Sequence, residues 1–437
     1  MIKRLFSSQL RINMASGALV TGINAATMMV AYPVHLHFLG YEKYGVWLLL
    51  ATVISFAQFG NLGVTCAVTK FVAEEVGKKN ISQVERYLFN AVVILFVTGI
   101  IALILIVLFK TQIAALFKLT GENETLAIKL LPYIGILTLY LLFTQVLNAA
   151  LVGLGRLDIT SYIQSGARIL ILVVATILYS FGKGIGSLIV GYFFSYLMIH
   201  IVSVIYIRQI ADIHFIRFKY LDPKCIKTLL GFGGKVITGQ LLQMLISPFN
   251  KLMLSRYAGV STVPIYEIAY GLTMLVGSFL ETGFRALMPE ISRLTTMMTS
   301  EAKNRISAIT RKATNVVFRA APVYLILFIL APMIFKVWLR DSFNEQIPYD
   351  FQVMLVGGFF FLLGQPANNM LMGIGKVNHC LIAQCIQAIT NVVVVIAIIA
   401  CIGPSRLSAQ IPYAVAGGMV LWSACMVVFS RQVLSKS

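Results

Sequence analysis

Continuous apolar runs of about 20–25 residues, long enough to cross ~30 Å of hydrocarbon as a helix, dominate this chain. VVILFVTGIIALILIVLF at 92–109 is one of them. Backbone N–H and C=O groups in lipid must pair within their own segment, so each run reads as an α-helix. A transmembrane β-barrel is excluded, because its strands alternate apolar and polar residues.

Charged residues are 12% of the 437, against 59% hydrophobic, and the mean hydropathy is +0.87. Soluble domains carry about 25% charge. The runs predict twelve helices near 12–37, 45–71, 87–109, 127–151, 160–180, 185–207, 229–254, 264–284, 314–335, 351–372, 379–401 and 411–430. Twelve such spans take roughly 240–300 residues and leave no room for a sizeable soluble catalytic domain. Lys3, Arg4 and Arg11 precede a stretch from Ile12 to Leu36 without a convincing cleavage site, which reads as a retained first helix.

Lys and Arg number 35 against 16 Asp and Glu, a net charge of +19. In a soluble chain this balance suggests nucleic acid; here it sets topology, and no nucleic-acid partner is expected. With the N-terminus in the cytoplasm, 22 Lys and Arg fall in cytoplasmic segments and 9 on the other side. Both termini are therefore expected inside. The six cysteines form no CxxC pair and mostly lie in apolar stretches, so they read as small buried hydrophobes.

The chain also repeats itself. QVLNAALVGLGRLD at 145–158 and QPANNMLMGIGKVN at 365–378 share Gln145/Gln365, Asn148/Asn368, Gly153/Gly373 and Gly155/Gly375 at an offset of 220. The same offset pairs Gln164 with Gln384, and FLG at 38–40 is echoed by YAG at 257–259. The glycines mark tight helix–helix connections, where positive φ or close approach requires them. The expected fold is thus an all-α polytopic membrane protein of two parallel six-helix repeats, a two-lobed bundle around a central cavity. Its parts are an N-terminal lobe (1–207), a basic connector (208–228) and a C-terminal lobe (229–437). Secondary transporters place binding sites between such repeats.

Polar residues recur at helical spacing on equivalent helices: Asn24 on the first, Gln58 and Asn61 on the second, and Gln240, Gln243 and Asn250 on the seventh. Within lipid such stripes face neighbouring helices or a wet cavity. Arg168 lies several residues inside the fifth span, and two readings are open: a cavity-facing cation, or one snorkelling to the cytoplasmic interface. Lys251 and Glu267 read either as a structural ion pair or as substrate contacts. Glu281 and Arg285 stand four apart, in the order that favours a helical salt bridge. Lys70, Lys235 and Arg319 lie near the cytoplasmic face, within snorkelling reach. His35 and His37 mark an outer interface, and no metal site is expected.

No GxxxxGK[ST] phosphate loop, HExxH or nucleophile elbow occurs, so neither ATP nor any cofactor is expected, and no enzyme activity.

LGYEKYGVWLLLATVISFAQFGNLGVTCAVTKFVAEE (39–75), the GLGRLD and GIGKVN loops, and APMIFKVWLRDSF (331–343) resemble the Wzx-type polysaccharide flippases. These belong to the multidrug/oligosaccharidyl-lipid/polysaccharide (MOP) exporter superfamily. The resemblance implies a bacterial inner-membrane flippase that moves undecaprenyl-diphosphate-linked oligosaccharide, such as an O-antigen unit, to the periplasmic leaflet. It also implies a cationic cavity, for which Arg168, Lys251, Lys70, Arg285, Lys235 and Arg319 are the candidates, with Glu267 and Glu281 as coupling or structural acids. Membrane lipids and other surface-glycan assembly proteins are the further partners implied. Lys70-Phe71 resembles the family's basic-aromatic ending of helix 2. Asn250-Lys251 resembles its acidic-basic pair in helix 7, with asparagine in place of the acid. A drug/cation antiporter of the same superfamily is the alternative, and it requires acids in the cavity.

Overall fold

The computed structural model describes residues 2–211, 220–284, 287–295 and 300–436; for 2–16, 18, 57, 235–242, 282, 288–290, 293, 300, 303 and 435–436 it describes the backbone only. All regular structure among them is helical. The first half contains α1 (Ile2–Ala57), α2 (Val64–Gly77), α3 (Ile81–Leu108), α4 (Lys110–Leu116), α5 (Gly121–Gly153), α6 (Leu157–Ser180) and α7 (Gly186–Ala211). After α8 (Pro223–Tyr257) come α9 (Thr262–Phe284), α10 (Leu287–Thr295), α11 (Ser300–Leu339), α12 (Gln346–Gly373), α13 (Val377–Ala397) and α14 (Leu407–Lys436).

Among the described residues ten helical stretches are long and apolar enough to cross a membrane. The chain is a multi-pass, all-α membrane protein. The first stretch, Leu19–Asn61, includes a break at Gly40, whose φ of 67° and ψ of 176° divide α1 into two arms. Helix α8 is one continuous helix, with Gly231, Gly233 and Gly234 in its first half. By compactness the chain divides into two units, Met1–Leu241 and Leu242–Ser437.

Helix boundaries recur along the chain. Leu157 and Val377 open α6 and α13, and Gly186 and Leu407 open α7 and α14, at spacings of 220 and 221 residues. The turns recur atom by atom. Gly155 (φ +78°) and Gly375 (φ +82°) each end a long helix in the left-handed region. The N–H of Gly155 donates to Val152 O and that of Arg156 to Leu151 O; Gly375 donates to Met372 O and Lys376 to Leu371 O. This is the paired 5→2 and 6→1 closure of a helix C-terminus, and it disfavours any residue with a Cβ at the left-handed position.

The expected second helix (45–71) is not continuous. A short 3-10 turn at Gln58–Asn61 and Gly63 in the left-handed region separate α1 from α2. Asn61 supports the break: its Oδ1 accepts from Thr65 N at 3.1 Å and its Nδ2 donates to Gln145 Oε1 at 2.6 Å. Here α8 runs backbone against backbone past the α2 start, since a Cβ on Gly63 would stand 2.2 Å from Gly233 O.

Val68, Leu88, Leu95, Leu142 and Leu147 are fully buried in the core of the first unit, and Leu229 of α8 joins them. Ile291, Met370, Leu371, Trp422 and Met426 form the core of the second unit. The cysteines divide differently from expectation: Cys225 and Cys380 are buried, Cys401 is exposed, and all six are free thiols. A single thiol is too small to decide which way its helix faces; the large neighbours decide it.

Candidate functional site

In the first unit, α1, α6 and α7 line an open cavity of about 510 Å³ in which polar groups interrupt a mostly apolar wall. Asn24, Gln58, Gln164, Arg168, Tyr192 and Tyr196 line it. Arg168 sits eleven residues into α6, about 16 Å along the helix at 1.5 Å per residue. Its side chain is accessible from the cavity, and no carboxylate among the described residues lies within ion-pair distance of it. Arg168 thus lines the cavity and is itself exposed. A cation at such depth costs about 2.5–3.5 kcal/mol unless water or an anion solvates it.

His35 and His37 differ in their surroundings, and it is His35 that turns inward. It is buried (7% exposed) and lines the same cavity, with its Nδ1 3.2 Å from the Tyr179 hydroxyl. His37, two residues on, is exposed. The pairing of His35 with Tyr179 spans 144 residues, so local sequence carries no sign of it.

A second recess of about 340 Å³ in this unit is lined by Asn61, Thr65, Thr69, Gln145 and Asn148. Thr69 Oγ1 donates to Thr65 O and Ala149 O, tying α2 to α5. Gly153 is buried against Val72, in the same packing. Asn61 and Gln145 hold structure here.

The second unit contains a cavity of about 360 Å³ lined by Gln243, Glu281, Gln365, Asn368, Gln384 and Trp422, among others. It is the counterpart of the two recesses in the first unit. Gln243 stands 219 residues after Asn24, Gln384 stands 220 after Gln164, and Gln365 and Asn368 stand 220 after Gln145 and Asn148. The charge is not repeated. Ala388 occupies the position equivalent to Arg168, and no Lys or Arg among the described residues lines the second cavity. Gly373 is buried at the end of α12.

Lys251 and Glu267 form an ion pair, Nζ to Oε2 at 2.7 Å, with Lys251 only 8% exposed. The two elements meet because the turn after Gly259 (φ +97°) folds α9 back along α8. Asn250 is spent on structure: it and Asn391 exchange amide hydrogen bonds at 2.8 and 3.2 Å, and its Nδ2 also donates to the Tyr266 hydroxyl. Lys251 is thus a neutralised cation, unlike Arg168.

Lys70 lies 4.5 Å from the Phe232 ring centroid and 3.7 Å from Glu74. Phe71 packs beneath, stacked on Tyr87 at 5.1 Å. Arg319 is exposed on α11 beside exposed Phe318 and lines none of these cavities. Arg285, and the side chains of Lys235 and Gln240, lie outside the described residues.

Near the start of α3, polar contacts fasten the approach to α8 onto that helix. Tyr220 donates to Glu85 Oε2 at 3.0 Å, and Asn90 both donates to Tyr220 O and accepts from Asp222 N. The Lys224 N–H beside Asp222 holds its carboxyl below the usual carboxylate range. At the α5–α6 turn the side-chain hydrogen bonds to Asp158 raise the Arg156 guanidinium above its ordinary value.

A family profile described as "Polysaccharide biosynthesis protein" matches residues 10–295. The chain belongs to this family. A Shigella flexneri protein named "Putative O-antigen transporter" is 21% identical over 355 residues, covering 80% of this chain and 82% of that one. Two solved structures carry the same fold. An inward-facing multidrug resistance MATE family transporter of the MOP superfamily matches with a TM-score of 0.77 at 17% identity, covering 98% of this chain and 95% of that one. The lipid II flippase MurJ in an inward closed conformation matches with a TM-score of 0.68 at 15% identity, covering 98% and 87%. Each of these proteins is named as a transporter or a flippase.

Proposed function

We propose that this polysaccharide biosynthesis family member is a flippase for undecaprenyl-diphosphate-linked oligosaccharide, an O-antigen unit or a similar surface-glycan repeat. It carries the headgroup from the cytoplasmic to the periplasmic leaflet of a bacterial inner membrane, with both termini in the cytoplasm. The observation that carries this reading is Arg168, a cation with no acidic partner among the described residues, lining an open 510 Å³ cavity. A diphosphate cannot cross hydrocarbon unaided, and a guanidinium offers it bidentate, charge-assisted hydrogen bonds. The polyprenyl tail stays in lipid while the headgroup passes, and alternating exposure of the cavity to the two leaflets completes transfer.

The family profile and the O-antigen transporter relative support the glycan class, and the MurJ fold supports a lipid-linked form of it. The excess of Lys and Arg in the segments assigned to the cytoplasm, 22 against 9, supports the orientation proposed here.

Deletion of the gene tests this reading. Lipid-linked oligosaccharide should accumulate on the cytoplasmic leaflet and clear when the gene is restored. Normal surface glycan with no accumulating intermediate contradicts it.

A second reading, a drug/cation antiporter, draws on Glu281, which lines the cavity of the second unit. Glu267 serves it less well, being neutralised by Lys251. Efflux of cationic dyes that depends on Glu281 would favour this reading.

A further inference from the structure

We propose that the cavity of the second unit is a carbohydrate subsite, taking sugar residues of the substrate through amide side chains and a stacked aromatic pair. The proposal rests on the flippase reading and assigns the glycan a place within it.

Three observations carry it. The cavity is lined by five primary amides, Gln243, Gln365, Asn368, Gln384 and Gln387. Within it Trp422 and Phe361 stack at 4.4 Å with 30° between their planes. Its polar atoms lack protein partners: Gln384 Oε1, Gln387 Oε1 and Trp422 Nε1 are buried with no hydrogen bond, Gln387 being 7% exposed and Trp422 1%.

The chemistry of these groups selects the ligand. A primary amide both donates and accepts, as does a sugar hydroxyl, so a row of amides matches a polyol in either direction. Phe361, partly exposed and lining the cavity, gives the C–H face of a pyranose an apolar ring to pack on, with buried Trp422 fixed behind it. An anion is disfavoured, because no Lys or Arg among the described residues lines the cavity and Glu281 does. A wholly apolar ligand is disfavoured too, since it leaves buried amide oxygens unpaired. The volume of about 360 Å³ falls in the usual range for small-molecule sites, about 300–1,000 Å³.

The repeat sharpens the contrast. Equivalent residues line both units, yet the first carries Arg168 where the second carries Ala388. The first cavity carries a cation, and the second carries amides with no Lys or Arg among the described residues.

Binding of two probes to purified full-length protein in nanodiscs tests the proposal: undecaprenyl diphosphate, and the undecaprenyl-diphosphate oligosaccharide extracted from the source cells. Wild type should bind the conjugate about tenfold more tightly than the bare diphosphate. Gln384→Met and Gln387→Met, with Asn368→Ala as a milder variant, should bring the conjugate down to the affinity of undecaprenyl diphosphate, which itself stays unchanged. Arg168→Gln should weaken both probes equally. Equal binding of both probes by wild type overturns the subsite and leaves the flippase reading standing. Monodisperse variants that keep the full advantage for the conjugate overturn it likewise. Wild type that binds neither probe overturns both readings.

Discussion

Gln164 and Gln384 occupy the same position, the eighth residue of α6 and of α13, and each lines the cavity of its own unit. Four residues further along the same helices the correspondence ends, at Arg168 and Ala388. The two helices share a frame, and the cation present in the first cavity has no counterpart at this position in the second.

The Lys251–Glu267 pair is structural on this account. Glu267→Gln leaves a buried ammonium without its partner and should cost about 3 kcal/mol, whereas Lys251→Met with Glu267→Leu should recover most of it. Thermal unfolding of the purified variants in detergent measures this. A single variant as stable as wild type contradicts it.

The glycine turns give a graded prediction. Gly155→Ala and Gly375→Ala place a Cβ in the left-handed region with open space around it, and each should cost about 1 kcal/mol. Gly63→Ala meets backbone at 2.2 Å and should abolish recovery of folded protein. Yield of monodisperse protein ranks the three, and equal yields contradict the ranking.

Lys70 over Phe232 predicts a difference between charge and shape. Lys70→Met should lose about 0.5–1 kcal/mol of stability, and Lys70→Arg should keep it, because a guanidinium also stacks on an aromatic face. Melting temperatures of the two variants decide.

Asp222 gives a pH dependence. Its carboxyl is held below its unfolded value by the Lys224 N–H, so its contribution is present above the unfolded pKa of about 3.9 and is lost as pH falls through the lower folded value. Asp222→Ala should therefore melt earlier than wild type at pH 6, and the gap should close on acidification below about pH 3. A gap that persists in acid contradicts the assignment.

The helices were legible in the sequence because lipid permits little else, and the repeat because a glycine at positive φ is a one-residue signature, preserved at Gly155 and Gly375. The break after Ala57 was hidden, since Gln58 and Asn61 also fit the polar stripe of an unbroken helix; only the Asn61 bonds to Thr65 and Gln145 tell them apart. Lys251 and Glu267 were visible as candidates because a single turn joins their helices. His35 with Tyr179, and Asn250 with Asn391, meet across more than 140 residues of chain, and no local pattern announces such a meeting. Gln365 and Asn368 were noticed as part of a repeated loop motif, while their place beside Trp422 required the packing of α12 against α14.

The most direct test of the central claim is the rate at which proteoliposomes translocate fluorescently labelled undecaprenyl-diphosphate oligosaccharide, read as loss of accessibility to an external quencher. The account predicts at least a tenfold fall for Arg168→Gln and a smaller one for Arg168→Lys, which keeps the charge and gives up the bidentate fork. A folded Arg168→Gln protein that flips the lipid at the wild-type rate would contradict it.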